Sequence, residues 1–474
     1  MAERGARPDP SPASKTPEQW LETAIKAREV GSMAEAAAAL DRVLEAAPKH
    51  PIPLRLRAKV ALERGEGDAL SRFDAALRVD PGNADLHLGK AQALEIAGYV
   101  RGALIVTQQI AQQAPGFVPA LVFLSSLRLA AGEEDFTQGF SEAAERAPQD
   151  PNILAAWCDA YAGIDYFAEA ATVAAKARES FPNEPHFALL EAINAGSAGD
   201  WERADTLFGA LETQSVQRLC AETRHRLRSG DIEAAQGLLD KALRQAPRDV
   251  AAWALQGLVW RLSESDHAKE RAHWLHEQAG LVQTRELLAP DGLLDRARAR
   301  LAQLHASTGM PLAQSLRGGS QTRGILFHRA EPVLQELQQA IIATLEAYRE
   351  DLPEADPDHP LLSERDTAWR LAGSWSVRLQ GGRDHHAPHI HPSGLLSSAL
   401  YMTVPEAAER QNEGWLEIGR PPQDLDLKME PLTSVRPREG YLALFPSTLY
   451  HATTPFDAKG DRAERVTVAF DVIT

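Results

Sequence analysis

Apolar positions follow two different periods along this chain of 474 residues. In the first half they recur at i, i+3, i+4 and i+7 in segments rich in Ala and Leu, such as "MAEAAAALDRVLEAAP" and "DIEAAQGLLDKALRQAP". This spacing is typical of amphipathic helices, and the small residues let helices approach closely. From about Gly373 onward the period is two, since Trp375, Val377 and Leu379 alternate with polar residues. The pattern predicts a helical region followed by a β-rich region.

Prolines and glycines divide the helical region at regular intervals. Six prolines stand 33, 34, 33, 34 and 65 residues apart: Pro48, Pro81, Pro115, Pro148, Pro182 and Pro247. A series of glycines falls roughly midway between them: Gly31, Gly65, Gly98, Gly132, Gly199 and Gly230, with Gly163 slightly out of phase. The long interval suits one repeat that has no proline. Proline ends a helix because its ring removes an N–H and clashes with the preceding turn.

A unit of helix, turn and helix that recurs every ~34 residues resembles the tetratricopeptide repeat. The resemblance covers residues 17–262 and implies stacked helix pairs, because one pair cannot bury its apolar stripe alone. It also implies a concave surface that binds a protein or peptide. A generic Ala-rich helical bundle is the alternative interpretation.

Composition and charge exclude several classes of protein. The net charge is −16 and the pI is near 5.5, so we expect no nucleic-acid partner, because phosphate binding needs clustered Lys and Arg. We expect no membrane association, since no apolar run approaches the ~18 residues of a spanning helix. Residues 1–16 are polar and rich in proline, which predicts a disordered tail. Only two cysteines occur, Cys158 and Cys220, and a cytoplasmic location is expected.

Histidines gather before an apolar strand in "HHAPHIHPSGLLSSALYMTVP". His389 and His391 stand two positions apart, so their side chains emerge on one face of an extended segment. His451 follows 60 residues after His391, and Arg465 and Thr467 share one face of the last strand. Two ligands from one strand end and a third from a distant strand can form a facial metal triad with open positions. A deep arginine could hold the far carboxylate of a bound oxo-acid.

Two other interpretations of these histidines stay open. They could be solvated loop residues, or they could bind zinc in a cupin-like barrel. The cupin pattern expects a Glu shortly after His-x-His, whereas "PSGLL" follows here.

The blocks "GSWSVRLQGGRDHHAPHIHPSGLLSSALYMTVP", "VRPREGYLALFPSTLYHATTPF" and "RVTVAFDV" resemble the 2-oxoglutarate/Fe(II)-dependent oxygenase superfamily. More narrowly, they resemble oxygenase domains that are fused behind tetratricopeptide repeats. The resemblance covers roughly Leu316 to Thr474. It implies His389 and His451 as iron ligands, Arg465 as the partner of 2-oxoglutarate, and Thr467 as the residue that assists this arginine.

This sequence departs from the superfamily at His391, where the usual motif has Asp or Glu. Either a third imidazole binds the iron, which leaves the site one negative charge short, or water fills that position. His386 could hydrogen-bond the cosubstrate or the substrate, and Tyr401 could be either a site residue or plain core.

We therefore predict a multidomain α + β protein. Its N-terminal α-solenoid of tetratricopeptide-like repeats is followed by a double-stranded β-helix (jelly-roll) domain with supporting helices. The predicted segments are a tail over 1–16, repeats over 17–262, a helical linker over 263–315 and the oxygenase-like domain over 316–474.

The predicted function is that of a dioxygenase that uses Fe(II), 2-oxoglutarate and O₂. We expect it to hydroxylate a side chain of a protein or peptide that the repeats present. Two alternatives belong to other classes. One is a non-catalytic repeat adaptor with a degenerate barrel, and the other is a small-molecule hydroxylase.

Overall fold

The computed structural model of the protein describes residues 15–306, 308, 312, 315–382, 384–410, 412–457 and 463–474. The chain divides into two compact units. The first runs up to Leu94 and includes His328–Ala330, and the second comprises Glu95–Phe327 and Glu331–Thr474. The predicted N-terminal tail lies, as far as residue 14, outside the described residues.

The first unit is built from helix pairs. Its helices are α1 (Pro17–Glu29), α2 (Met33–Ala46), α3 (Pro51–Glu63), α4 (Ala69–Val79) and most of α5 (Ala84–Ile96). Alanines fill much of the interior, and Phe73 packs so closely on Gly89 that a Cβ there would lie 2.3 Å from its ring. Close approach of the helix backbones therefore depends on small residues.

The second unit continues the series of helix pairs. These helices are α6 (Val100–Gln113), α7 (Val118–Ala130), α8 (Gln138–Arg146), α9 (Pro151–Ala162), α10 (Phe167–Ser180), α11 (Pro185–Ser197), α12 (Trp201–Ala210), α13 (Val216–Arg228), α14 (Ile232–Gln245) and α15 (Val250–Leu262). Neighbouring helices share apolar clusters, for example around Phe140 and Phe187.

The prolines and glycines of the two series occupy the positions that a helix–turn–helix repeat requires. All six in-phase glycines have a positive φ, between 63° and 89°, a conformation that glycine adopts without steric cost. Gly163 does not, since its φ is −65° and Asp165, with a φ of 66°, turns the chain instead. The prolines stand two residues beyond the second helix of a pair, as Pro48 does after Ala46. The predicted helical repeats are confirmed.

The remaining elements belong to the β domain and its supporting helices. The helices are α16 (Asp266–Ala272), which continues as a π-helical turn, α17 (Leu293–His305) and α18 (Pro332–Glu350). The strands are β1 (Gln283–Glu286), β2 (Leu316–Arg317), β3 (Ser320–Gln321), β4 (Arg370–Leu379), β5 (His385–His386), β6 (Leu396–Thr403), β7 (Leu416–Ile418), β8 (Thr433–Val435), β9 (Tyr441–Pro446), β10 (His451–Thr453) and β11 (Arg465–Ile473).

The strands form a large sheet and two small ones, with antiparallel pairing throughout. The six-stranded sheet has the order β1-β9-β6-β11-β4-β3, the three-stranded sheet has the order β10-β7-β8, and β2 pairs with β5. Residues of β6, β7 and β9 form one apolar cluster, which therefore lies between the large and the three-stranded sheets. A helical region followed by an antiparallel β domain confirms the predicted fold class, and the two facing sheets agree with a jelly-roll arrangement.

Helices α17 and α18 cover the other face of the large sheet. They share an apolar cluster with alternate residues of β11, namely Val466, Val468, Phe470 and Val472. Because side chains of a strand alternate between faces, the intervening residues of β11 point away from these helices. One face of β11 thus packs against α17 and α18, and its other face points toward the interior between the sheets.

The predicted domain boundaries remain a prediction. Residues 263–315 contain helices, as expected, but they also supply β1, the edge strand that pairs with β9. No helix in the described ranges is both long enough and apolar enough to cross a membrane.

Candidate metal centre and cosubstrate pocket

Three histidines converge where the segment after β5 meets the start of β10. His389 and His451 exchange two backbone hydrogen bonds, of 3.1 and 3.0 Å. Their ring centroids lie 4.2 Å apart, and the His391 ring lies 5.1 and 5.0 Å from them. One nitrogen of each ring lies within 4.8 Å of the other two. A single metal ion could therefore contact all three imidazoles, and this donor set suits Fe(II).

The hydrogen bonds of the three rings define which nitrogen is available. Nδ1 of His389 donates to the Ala387 carbonyl at 2.8 Å, and Nδ1 of His451 donates to the Leu449 carbonyl at 3.1 Å. A carbonyl oxygen only accepts, so the proton of each ring is on Nδ1 and the lone pair is on Nε2. Nδ1 of His391 contacts the Asp471 carboxylate in the same way. Each ring therefore has its Nε2 free for a ligand.

Burial keeps His389 and His451 uncharged at neutral pH. It lowers the pKa of His389 to about 3, and the neighbouring His391 lowers it further in the same sense. Burial also lowers the pKa of His451 well below its ordinary value, assisted by the two other rings. Neutral imidazoles are the form that binds a metal ion.

Arg465, the first residue of β11, is a buried cation beside this cluster. It is 2 % exposed, and its Nε has no hydrogen-bond partner among the described residues. Burial lowers its pKa, although Tyr401 opposes the shift. A buried guanidinium without a carboxylate in the described part of the chain is costly unless an anion binds to it. The far carboxylate of 2-oxoglutarate fits this requirement.

Tyr401 and Thr467 stand next to Arg465 in the large sheet. Tyr401 on β6 pairs in register with Thr467 on β11, and the Arg465 guanidinium lies 5.3 Å from the Tyr401 ring centroid. The Tyr401 hydroxyl is buried and has no partner among the described residues. Thr467 is buried, and its carbonyl accepts a hydrogen bond from the Ser376 hydroxyl at 2.9 Å. The Tyr401 hydroxyl and the Arg465 guanidinium thus lie close enough for each to shift the pKa of the other.

His386 lies against the metal cluster. Its ring stacks on that of His389 at 5.6 Å, and its Nδ1 lies 3.0 Å from the Ser315 hydroxyl. Burial lowers its pKa strongly, and the positive charge of Arg465 acts in the same direction. His386 is therefore close enough to both the histidine cluster and Arg465 for these groups to lower its pKa.

The structure brings all six predicted site residues to one region, and it adds residues that sequence reasoning missed. Asp471 contacts His391, and the Trp375 ring centroid lies 5.5 Å from that of His391. Period-two alternation could have identified Asp471, because it stands four residues after Thr467 on the same face of β11. No pattern in the sequence distinguishes Trp375 from a core residue.

A cavity of about 760 Å³ opens beside the cluster. On one side it is lined by α9, α11, α13 and α15, each the first helix of a pair, and on the other by barrel residues that include His389, Ile390 and Tyr450. The helix side presents apolar residues such as Leu190 and Ile193. A second cavity, of about 820 Å³, shares His389 with the first and extends toward Arg317.

Ionic and apolar contacts hold the β domain against the last repeats. Arg224 on α13 binds both carboxylate oxygens of Asp424, at 2.8 and 2.7 Å, and Arg228 donates to the Asp424 carbonyl at 2.7 Å. Arg224 also donates to the hydroxyl of Tyr450, which precedes His451. Leu425 and Tyr450 share an apolar cluster with α13, α14 and α15. The histidine cluster is therefore anchored to the repeat helices.

Comparison with known proteins identifies the C-terminal domain. Residues 373–471 match the family described as "Putative 2OG-Fe(II) oxygenase". This range contains all three histidines, Arg465 and Asp471. The family uses Fe(II), 2-oxoglutarate and O₂, which fits the histidine cluster and the free arginine. No curated protein matches the chain.

Several solved structures are similar to parts of this chain. A tetratricopeptide repeat protein from Parabacteroides merdae ATCC 43184 is 15% identical over 54% of this chain and 97% of its own, with a TM-score of 0.31. A MamA protein is 20% identical over 35% of this chain and 92% of its own, with a TM-score of 0.28. A Pseudomonas putida prolyl-4-hydroxylase is 16% identical over 42% of this chain and 95% of its own, with a TM-score of 0.28.

The family match, the histidine cluster and the observed helix pairs agree with one another. The chain carries a domain of the 2-oxoglutarate/Fe(II) oxygenase family behind a region of tetratricopeptide-like helical repeats.

Proposed function

We propose that the protein is a 2-oxoglutarate- and Fe(II)-dependent dioxygenase that hydroxylates a side chain of a protein or peptide. The observation that carries this proposal is the position of the histidine cluster. Its member His389 lines a cavity whose opposite wall is made of repeat helices.

His389, His391 and His451 would hold the metal through their Nε2 atoms. Arg465 would bind the far carboxylate of 2-oxoglutarate, with Thr467 beside it on the same face of β11 and the Tyr401 hydroxyl as a further donor. His386 would contact the cosubstrate from the side of Ser315.

When bound, Fe(II) with O₂ supplies the oxidising chemistry, in which 2-oxoglutarate gives succinate and CO₂ while one oxygen atom enters a C–H bond of the substrate. The residues of this chain bind and orient the reactants and keep water away. Arg465 is fully buried, whereas His389 lines the cavity, so Arg465 would bind the far carboxylate in the interior of the β domain.

The cavity suggests a peptide segment as the substrate. Leu190 and Ile193 offer apolar contacts, while Asn194 and Gln217 add amide groups to the same wall. A cavity formed by repeat helices on one side and His389 on the other can hold a chain segment and place one side chain at the metal. The alternatives, an adaptor without activity and a small-molecule hydroxylase, are outcomes of the test below.

The first prediction concerns His451. His451→Ala removes one of three metal ligands and should reduce Fe(II)-dependent succinate formation from 2-oxoglutarate at least about 100-fold. Anaerobic titration with Fe(II) and 2-oxoglutarate, followed by absorption spectroscopy, should show loss of the metal–cosubstrate complex in the same variant. His267→Ala changes an exposed histidine of α16 and should behave like the unmodified protein.

The substrate class is tested with a random-sequence peptide library and Fe(II), 2-oxoglutarate and O₂. Peptides that gain one oxygen atom by mass spectrometry would support the proposal. Succinate formation that leaves all peptides unchanged but oxidises a small-molecule panel would favour the small-molecule hydroxylase. Absence of succinate with Fe(II), together with retained peptide binding, would favour the adaptor.

A further inference from the structure

The strand that carries Arg465 also carries a carboxylate. Residues 465, 467, 469 and 471 of β11 share the face that points away from α17 and α18, because the alternate residues belong to the core beneath those helices. Arg465 and Thr467, which would contact the cosubstrate, are both buried on this face. Asp471 is the fourth residue of the same series, so its carboxylate points into the β domain.

Local backbone geometry places this carboxylate beside His391. The register between β11 and β4 shifts between Asp471 and Val472, because Ala372 of β4 has no partner on β11. β-Bulges of this kind often re-aim a side chain next to a site. Opposite Asp471 on β4 stands Gly373, where a Cβ would lie 3.3 Å from the Trp375 ring and 3.9 Å from an Asp471 oxygen. The absent side chain leaves room for both groups.

The carboxylate and the imidazole form a direct pair. Oδ1 of Asp471 accepts a hydrogen bond from Nδ1 of His391, and the Trp375 ring packs near the same imidazole. His391 is therefore fixed on two sides, with Nε2 turned toward His389 and His451. The two other histidines use backbone carbonyls for the same purpose, so His391 alone of the three has an anion behind it.

We propose that Asp471 is a positioning residue that supplies, through His391, the negative charge that a directly bound carboxylate would provide. This inference rests on the proposed function, since it concerns the same metal centre. Three imidazole ligands bring no negative charge to a divalent cation. A carboxylate one hydrogen bond away orients the ring, makes its Nε2 a stronger donor and brings one negative charge close to the ion.

The proposal explains why His391 can stand where the superfamily resemblance expects Asp or Glu. The charge is retained in the site but moved from the ligand position to the strand behind it. A ligand exchange of this kind should leave the affinity for the metal dependent on position 471 as well as on position 391.

The test measures affinity for Co(II), an oxygen-stable probe of the Fe(II) site, by calorimetry and by the visible absorption of the bound ion. Asp471→Asn keeps the size and one acceptor but removes the charge. We expect it to weaken Co(II) binding about 10- to 100-fold and to shift the absorption bands. Thermal unfolding of the metal-free protein should stay unchanged. Asp295→Asn, on the exposed side of α17, is the matched control.

A second variant separates this role from a structural one. The double variant His391→Asp/Asp471→Asn moves the carboxylate to the ligand position, and we expect it to regain Co(II) affinity to within about 10-fold of the unmodified protein. If Asp471→Asn also lowers the unfolding temperature, the Co(II) affinity of the double variant distinguishes the positioning role from a structural one. Failure of the double variant to regain affinity overturns the proposal.

The remaining outcomes distinguish this inference from the proposed function. Equal Co(II) affinity of Asp471→Asn and the unmodified protein would overturn the inference and leave the dioxygenase proposal standing. Absence of Co(II) and Fe(II) binding in the unmodified protein would overturn both.

Discussion

The three histidines of the cluster differ in the group that accepts a hydrogen bond from Nδ1. His389 and His451 donate to backbone carbonyls of their own segments, whereas His391 donates to Asp471 of another strand. The first two are therefore oriented by local backbone, whereas the third depends on the register between the segment after β5 and β11. A substitution at Asp471 should therefore affect the metal through His391.

Arg465 leads to a prediction about the cosubstrate. Arg465→Lys keeps the positive charge but removes the planar fork that binds a carboxylate through two hydrogen bonds, so KM for 2-oxoglutarate should rise about 10- to 100-fold. Succinate formation measured against 2-oxoglutarate concentration checks this. The exposed Arg296→Lys variant serves as control, and an unchanged KM for Arg465→Lys would exclude the assigned role.

At this scale the sequence was informative where a residue type is rare and specific. His-x-His, a distant His and an Arg-x-Thr strand predicted a common site, and the structure brings those side chains together. Tyr401 stayed open because a tyrosine in an apolar strand is as common in cores as in pockets. Its proximity to Arg465, which is visible only in three dimensions, separates the two cases.

Among the elements, the short helical turn that carries Asp424 links the β domain to the repeats. Burial opposes ionisation of Asp424, but Arg224 and Arg228 outweigh that effect and lower its pKa. Its carboxylate is thus an anion between two cations that are themselves largely buried. Such a group stabilises its surroundings only while all partners are present.

The corresponding prediction is a loss of stability. Asp424→Ala leaves two arginines without their counterion and should lower the free energy of unfolding by about 3–5 kcal/mol, as expected for a broken buried pair. Urea unfolding followed by tryptophan fluorescence measures this change. Glu430→Ala removes an exposed carboxylate from the same loop region and should shift the midpoint very little; equal effects of both variants would contradict the argument.

Elements with a strong intrinsic signal were predictable, and elements made by tertiary pairing were not. The repeat helices follow from proline, glycine and a 3.6-residue period. Strand β1 has the sequence "QTRE" and no apolar alternation, so only its pairing with β9 makes it a strand. Likewise, Asp165 replaces Gly163 as the turning residue because the turn falls two positions later than the glycine. In both cases the place of the residue in the folded chain, rather than its residue type, determines the local structure.

For the molecule as a whole, buried neutral histidines couple stability to pH. Burial lowers the pKa of His276 to about 3, and those of His305 and His359 to about 4. Their nitrogens bond to hydroxyls and backbone groups; for example, His305 lies 2.9 Å from the Ser320 hydroxyl and 3.0 Å from the Ser376 hydroxyl. Protonation would add a charge where no water can solvate it.

Stability should therefore fall in mild acid. In the unfolded chain these imidazoles take up protons near pH 6.5, whereas in the folded chain they do so only near pH 3 to 4. Their contribution is complete above about pH 6.5 and is lost as the pH falls toward 4, by up to about 1.4 kcal/mol per pH unit for each group. Urea midpoints at pH 7, 6 and 5 test this, and a constant midpoint over that range would contradict it.

The apolar cluster shared by Leu425, Tyr450 and helices α13 to α15 has a practical consequence for the exchange of repeat helices. Exchange of these three helices for those of another repeat protein would remove the apolar residues on which Leu425 and Tyr450 pack. It would also displace Tyr450, the residue that precedes His451. Exchange of residues on the cavity side of α9 and α11 leaves these contacts intact. On the proposed function, selectivity would therefore be varied through residues of α9 and α11, whereas α13, α14 and α15 would be kept together with the β domain.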